Sequence, residues 1–463
     1  MNRVAVVGGG MAGLAAAHEL DRRAAGLALP LEVVLFEAEP RLGGKVRTVR
    51  AGPYRLEAGP DAVVRYKPWF LELVRELGLS GDVVGTQPAR PAALIVKGGR
   101  GHPLPEGLNV VIPSKLGPLV RTPLLSPLGK LRAALDLFLP RGPEGDEPFG
   151  AFVQRRLGRE VWENLAAPLT GGIYGGDPYE LSTLAAFPML KDLEKRHRSL
   201  ILGSLHAMRK RRGSREGGSL FASLRGGLGR VVEALTRTAE RVGWRPNAPV
   251  ERLEHDEGRW RLYGPWGSEG FDALVLAAPA HAAGELLGPL DPQLAALLRE
   301  IPYGDTATVT LAFAEEPFPK VSGHGVLVAA GEGSRARGFT WLSRKWAGRA
   351  PEGKLLVRAY FSGEGASANE EELAKTAIAD LERIVGPVPE PEGVWVYRWA
   401  AGMPQYTVGH LDRVRRIEEG VRRWTGLELA GAAYRGVGLP EVVRDGRAAA
   451  ARIVDLLAAR PLD

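Results

Sequence analysis

The sequence predicts an α/β protein in three parts: a parallel-sheet domain gathered from separated segments, a second domain on a mixed sheet, and a helical insertion. Three observations predict it. The chain opens on a buried-strand pattern, a glycine turn and a helix, "RVAVVGGGMAGLAAAHEL". Residues 301–400 hold five strand-like stretches, and the tail, "LELAGAAYRGVGLPEVVRDGRAAAARIVDLL", returns to strand, glycine turn and helix. Distant stretches thus share one domain's character, so the chain between them leaves and comes back.

Taken in order, residues 3–7 read as a strand, 11–20 as a helix and "LEVVLFEAE" (31–39) as a second parallel strand, one βαβ unit. "PWFLELVRELGL" (68–79) has helical spacing and ends on glycine, and "AALIVKGG" is a short strand. From about 106 to 218 the spacing is helical, closing on the basic "KRHRSLILGSLHAMRKRRGSR". "FASLRGGLGRVVEALTRTAERVG" (221–243) reads as an amphipathic helix, while "APVERLEHDEGRWRLYG" and "FDALVLAAPA" read as strands of an added sheet. "TATVTLAF", "GVLVAA", "FTWLS", "KLLVRAYF" and "GVWVYRWA" supply the second domain's sheet. The expected division is 1–85, 219–285 and 425–463 for the first domain, 86–105 and 286–424 for the second, and 106–218 for the insertion.

Composition narrows the chemistry. With no cysteine among 463 residues, disulfides, thiol nucleophiles and thiolate metal sites are excluded, and eight scattered histidines show no ligand spacing, so no metal is expected. The net charge of +7 favours anionic partners without amounting to a nucleic-acid signature. No secretory n-region and no apolar run of about 20 residues is found, which makes the cytoplasm the expected location.

Gly8, Gly10 and Gly13 form G-x-G-x-x-G between strand and helix, and Glu37 stands at the end of the second strand. In that context the glycines admit a diphosphate to the helix N-terminus, and the acid suits ribose hydroxyls. A bare tight turn is the lesser reading of a glycine triplet alone. Beyond Glu37 come Arg41, Gly43, Gly44 and Lys45, then "LEAGPD" (56–61), and near the end "GVGLP" (436–440) before a helix. The three segments together resemble the flavoproteins of the amine oxidase superfamily, which implies a Rossmann-like FAD-binding domain and a last helix whose positive end would face the flavin's pyrimidine edge. For Arg41 and Lys45 taken alone, a solvated loop is the lesser reading.

Longer stretches, "GGIYGGDPYELSTLAAFP", "TWLSRKWAGRAPEGKLLVRAYFSG", "WAAGMPQYTVGH" and "GAAYRGVGLPEVVRDG", resemble the oxygen-dependent porphyrinogen oxidases of haem synthesis, in order along nearly the whole chain. That resemblance implies FAD contacts at Gly8, Gly9, Gly10, Met11, Ala12 and Gly13, at Glu37 and Ala38, at Arg41, Gly44 and Lys45, and at Gly59, Pro60, Asp61 and Ala62. It also implies contacts at Val250, Trp399, Val437, Gly438 and Leu439, although Val250 and Trp399 read from their residues as ordinary core.

The activity implied is six-electron oxidation of protoporphyrinogen IX or coproporphyrinogen III, with O2 as acceptor. No protein side chain is expected to be catalytic, because the flavin carries the chemistry. Lys67 and Arg65 are the candidates for the substrate's propionates, Gly175 and Gly176 for the border of the macrocycle, and His324 for a polar group at the site. Tyr406 and His410 are either part of the site or structural hydrogen-bonders. Animal and plant members carry an arginine where this chain has Ala93, which favours the bacterial coproporphyrinogen variant. The basic run 195–215 reads first as a solvated face, then as a guide for an anionic substrate, then as a contact for acidic lipid, since the insertion matches the region that animal and plant members press into membranes. Partners implied are the porphyrinogen, O2 and a later enzyme of haem synthesis. The alternatives are another flavin amine or carotenoid oxidase, and a non-catalytic lipid carrier on the same fold.

Overall fold

The computed structural model describes residues 1–109, 112–113, 115–211 and 219–459. It opens with β1 (Asn2–Val7), α1 (Met11–Gly26) and β2 (Leu31–Phe36), the expected βαβ unit, with β1 and β2 parallel from Asn2/Leu31 to Val7/Phe36. A hairpin of β3 (Leu94–Lys97) and β4 (Arg100–Pro103) precedes the insertion, which is followed by α2 (Gly229–Thr238), β5 (Val242–Arg245) and β6 (Ala273–Leu276). Then come β7 (Tyr303–Ala314), β8 (Gly325–Val328), β9 (Gly338–Trp341), β10 (Lys354–Ser362), α3 (Glu370–Val385) and β11 (Gly393–Pro404). The chain closes on β12 (Leu427–Leu429) and α4 (Leu439–Ala458).

The first sheet is wholly parallel, ordered β5-β2-β1-β6-β12. In β1 and β6 four consecutive residues are buried, as in a sheet covered on both faces. Leu14, Leu20, Leu235 and Ile453 of α1, α2 and α4 cover one face, and Trp260, Leu294 and Tyr434 pack with Phe36 and Leu274 on the other.

Two expectations are corrected here. Residues 221–243 are not one helix: Phe221–Leu224 is a strand paired to Val63–Val64 and Val83–Gly85, and α2 and β5 follow. Gly226 and Gly227, at φ +91° and +105°, turn the chain out of helical geometry between them. "FDALVLAAPA" is not part of the added sheet either, for its strand β6 lies beside β1. The added antiparallel sheet is Arg252–Asp256, Arg259–Gly264 and Gly267–Phe271.

The second sheet is ordered β11-β7-β10-β9-β8-β3-β4 and is antiparallel except at β8/β3. Strand alternation gives it two unlike faces. Val309, Leu311, Phe313, Leu355, Val357 and Phe361 pack on Leu373, Ala377 and Leu381 of α3. The opposite face carries Thr308, Thr310, Arg358, Tyr360 and Trp399, placed by the register of β7, β10 and β11.

The insertion has its own core, including Phe149, Phe152, Trp162 and Leu165. At its centre the fully buried Arg156 is paired with Asp136 and donates to the carbonyls of Pro140, Asp136 and Arg198, while Asp136 also accepts from Ser199 Oγ and Ile201 N–H. Leu128, Leu131, Leu135 and Phe138 form an exposed stripe, with Leu128 at 77% and Phe138 at 76% exposure. Of the basic run 195–215, residues 212–215 lie outside the described residues. No helix among the described residues is long and apolar enough to cross a membrane.

Helices α1 and α4 are joined by charge. The Glu19 carboxylate, buried at 3% side-chain exposure, binds Arg22 and Arg23 of its own helix and Arg447 of α4. Burial alone would raise its pKa, but the hydrogen bonds from Arg22 and Arg23 and the charge of Arg447 reverse this and hold it at about 2, against an ordinary 4.5. A depressed carboxylate stabilises the fold fully above its unfolded pKa and ceases to do so as pH falls through the folded one; the shift corresponds to about 3 kcal/mol. Glu19→Gln is therefore expected to lower stability at pH 7 by about that amount. In denaturant titrations the gap between the two proteins should close between pH 4.5 and 2.

Candidate functional site

The first sheet's strand order reverses beside β1 and β6, and ligands of such sheets bind outside the carboxyl ends of strands at that point. Three loops interlock there through their backbones. The Gly9 N–H donates to Glu37 Oε2 at 2.6 Å and the Gly43 N–H to the Gly9 carbonyl at 2.7 Å. A Cβ on Gly13 would lie 1.9 Å from the Gly8 oxygen, and one on Gly59 would lie 2.0 Å from the Lys45 oxygen. Only glycine lets α1 seat on its turn and lets the two later loops close over each other.

What this leaves open is positive. Gly10 caps α1 without a side-chain bond and no acid stands in the first turn, so the N-terminal end of α1 keeps its positive character. A side chain on Gly10 would meet nothing within 4 Å. Lys45 is exposed, has no acidic partner among the described residues, and has its pKa lowered by partial desolvation. An uncapped helix end, a cleared glycine and an unpaired cation beside them fit the diphosphate of a dinucleotide. Arg41 instead donates to the carbonyls of Leu42 and Gly44 and so shapes the loop. Glu37, holding the N–H groups of Gly9 and Glu39, has lone pairs left for hydroxyls. Ala38 is exposed beside it, and Val250, half-buried against the second core, follows the Ala248 N–H that bonds the Glu37 carbonyl.

The segment 58–62 joins the two sheets. Trp399 Nε1 donates to the Ala58 carbonyl at 3.0 Å, and Arg358 Nη2 to the Gly59 carbonyl at 2.6 Å. Arg358 is 1% exposed with Nε and Nη1 unpartnered, as are the hydroxyls of Thr308 and Thr310 on the same sheet face. Asp61 accepts from Lys345 Nζ and Trp346 Nε1; burial would raise its pKa, but Lys345 and Arg358 hold it well below the usual carboxylate range. Just before, Glu57 is buried against Arg349 at 3.0 Å. Pro60 and Ala62 complete the segment, with Ala62 packed on Trp346 and Leu356.

The 437–439 segment is held by residues distant in sequence. Tyr406 Oη donates to the Ala432 carbonyl and accepts the Gly436 N–H, both at 2.7 Å, and its ring stacks on His410 at 3.8 Å. His410 is neutral, its pKa lowered to about 4 by burial, with Nε2 against the Tyr434 carbonyl. These two residues are structural hydrogen-bonders of the turn before α4. Gly438 caps α4 without a side-chain bond, Val437 touches the insertion's core and Leu439 the first core.

Of the expected substrate residues, Gly175 and Gly176 lie at the edge of the polar sheet face, and Arg65, Lys67 and His324 are held elsewhere. A Cβ on Gly175 would lie 2.9 Å from Thr306 Cγ2, and Gln405, which bonds the Tyr174 carbonyl, stands against Gly176. Arg65 is exposed and donates to the Phe221 carbonyl at 3.4 Å. Lys67 is ion-paired to Glu441. His324 is engaged: its Nε2 lies 2.7 Å from the Gln87 carbonyl and burial lowers its pKa. It staples a loop instead of offering a base.

Sequence reasoning missed Arg358, Lys345, Gln405 and Glu441. Arg358 had a signal, a charged residue inside the apolar strand "KLLVRAYF". Lys345 had none beyond its stretch.

Tyr406→Phe removes both hydrogen bonds to the turn and leaves a backbone donor and acceptor unsatisfied. A loss of about 1–3 kcal/mol in denaturant unfolding is expected, with faster amide exchange at 431–438.

Comparison with known proteins gives the family. The coproporphyrinogen III oxidase of Bacillus subtilis (strain 168) is 34% identical over 461 residues, 96% of this chain and 96% of its own length. That of Propionibacterium freudenreichii subsp. freudenreichii is 35% identical over 98% of this chain and 92% of its own. The crystal structure of an Exiguobacterium sp. 255-15 protein superposes with a TM-score of 0.86 at 33% identity, covering 99% of each chain. Residues 11–454 match the family described as flavin containing amine oxidoreductase, and the chain belongs to it and, within it, to the porphyrinogen oxidases.

Proposed function

We propose that the protein is an FAD-dependent porphyrinogen oxidase of haem synthesis that converts coproporphyrinogen III to coproporphyrin III with O2 as acceptor. The observation that carries the reading is likeness over the whole chain to relatives of that name, at 34% and 35% identity. FAD, when bound, accepts the six electrons two at a time as hydride equivalents. The chain's own residues bind and enclose. Met11, Ala12 and Lys45 receive the diphosphate and Glu37 the ribose, while the hydroxyl-rich face of Thr308, Thr310 and Tyr360 lies beside segment 58–62. Arg65, exposed at the loop after that segment, meets the substrate's carboxylates.

Side-by-side turnover of coproporphyrinogen III and protoporphyrinogen IX, read by porphyrin fluorescence and oxygen uptake, tests this. Coproporphyrinogen is expected to be the faster substrate. Oxidation of benzylamine or a polyamine with neither porphyrinogen consumed sinks the reading. Arg65→Ala should raise KM about two- to fivefold, the worth of one exposed ion pair, and leave bound flavin unchanged.

Peripheral contact with an acidic bilayer belongs to the same reading, supported by the stripe of Leu128, Leu131, Leu135 and Phe138 with Arg121, Lys130 and Arg141 nearby in the chain. Co-sedimentation with anionic vesicles should occur, weaken with salt and be lost in Leu131→Asp/Phe138→Asp. Absence of binding by the wild type refutes it.

A further inference from the structure

Glu441 stands in the first turn of α4, the helix whose positive end, by the resemblance to the flavoproteins, would face the flavin's pyrimidine edge. It is 8% exposed, and its Oε2 lacks a hydrogen-bond partner and faces Gly438, where a Cβ would lie 2.7 Å from it. A carboxylate there strengthens the helix but cancels its positive end. Its other oxygen holds the ammonium of Lys67, 374 positions away in sequence. Lys67 is the single cation paired with Glu441 among the described residues. Arg444, one turn along, donates to the Arg435 carbonyl at 3.1 Å and lies 4.4 Å over the Trp69 ring.

This arrangement conflicts with Lys67 as a receptor for substrate carboxylates. To take one, the ammonium would have to leave a nine-tenths buried carboxylate without its cation, in exchange for a partner at a third-exposed lysine. Stranding a buried charge costs more than a part-exposed pair returns.

We infer that Lys67 is a positioning residue for the flavin-facing end of α4, acting through its ion pair with Glu441, and is not a receptor for the substrate. The pair ties the loop after segment 58–62 to the helix and restores a net positive end at the 437–439 segment. The inference rests on the flavin site and not on the identity of the substrate.

Two flavin readouts decide it: the FAD dissociation constant of reconstituted apoprotein, and the reduction potential of bound flavin. Lys67→Met leaves an unneutralised carboxylate. FAD binding should weaken about tenfold, equal to about 1.4 kcal/mol, the potential should become more negative, and kcat should fall with KM held within about twofold. Glu441→Gln leaves an unneutralised ammonium, so its potential should become more positive. The double variant removes both charges and should return close to wild type, and Lys67→Arg should retain wild-type values. Potentials that stay put, or that move the same way in both single variants, overturn the inference, as does a raised KM in Lys67→Met with flavin binding unchanged. Should Lys67→Met fail to fold, Glu441→Gln, Lys67→Arg and the double variant still decide. Should no porphyrinogen turn over in the wild type, the substrate reading fails while these flavin measurements still stand.

Discussion

The constraint on which the structure depends is the close approach of three loops around the positive N-terminal end of α1. Backbone contacts between the first βα turn, the loop after β2 and segment 58–62 are too close for any residue but glycine at Gly13 and Gly59. That closeness sets the start of α1 beside the loop that carries Lys45, an exposed cation with no acidic partner among the described residues. A positive helix end next to an unpaired cation favours an anionic ligand. Family membership makes that ligand class a flavin nucleotide.

The rest of the fold carries the second sheet to that gap. Its α3-facing side is apolar, and strand alternation then forces Thr308, Thr310, Arg358 and Tyr360 onto the other side, beside segment 58–62. A polar face buried inside a protein needs partners. Some come from the loop itself, as with Arg358 and the Gly59 carbonyl, and Trp399 and the Ala58 carbonyl. Glu57 with Arg349, and Asp61 with Lys345, add ion pairs across the same seam. The seam is polar on both sides, so it holds a fixed geometry through directional bonds where a greasy contact would slide.

The βαβ unit was legible because its signal is local: a continuous apolar strand, three glycines and a helix in uninterrupted order. The same held for α4 and for the five strands of residues 301–400. Where the reading failed, pairing partners decided. Gly226 and Gly227 can sit in a weak helix as far as local pattern shows; Val63–Val64 and Val83–Gly85, more than 130 positions earlier, make Phe221–Leu224 a strand. β6 looked like any short apolar strand, and only its register against β1 places it at the centre. Tyr406 was visible as part of "PQYTVGH", but its duty to the turn at 431–436 was not, since a hydroxyl's partners are set by tertiary contact.

The N-termini of α1 and α4 meet one electrostatic problem in opposite ways. α1 has no acid in its first turn, so its end stays positive and available to an anion. α4 has Glu441 there, which by itself would satisfy the helix internally and make the end indifferent or repellent to negative charge. Lys67 cancels that acid from outside the helix, and α4 keeps both the stability an acid lends to a first turn and a positive end facing outward. A permanent diphosphate needs only fixed donors, whereas a ring that gains negative charge on reduction is sensitive to every nearby formal charge. A neutralised pair at α4 lets the helix dipole act on the ring without an ionic charge dominating it, which is why the pairing of Glu441 matters more than the presence of Lys67 alone.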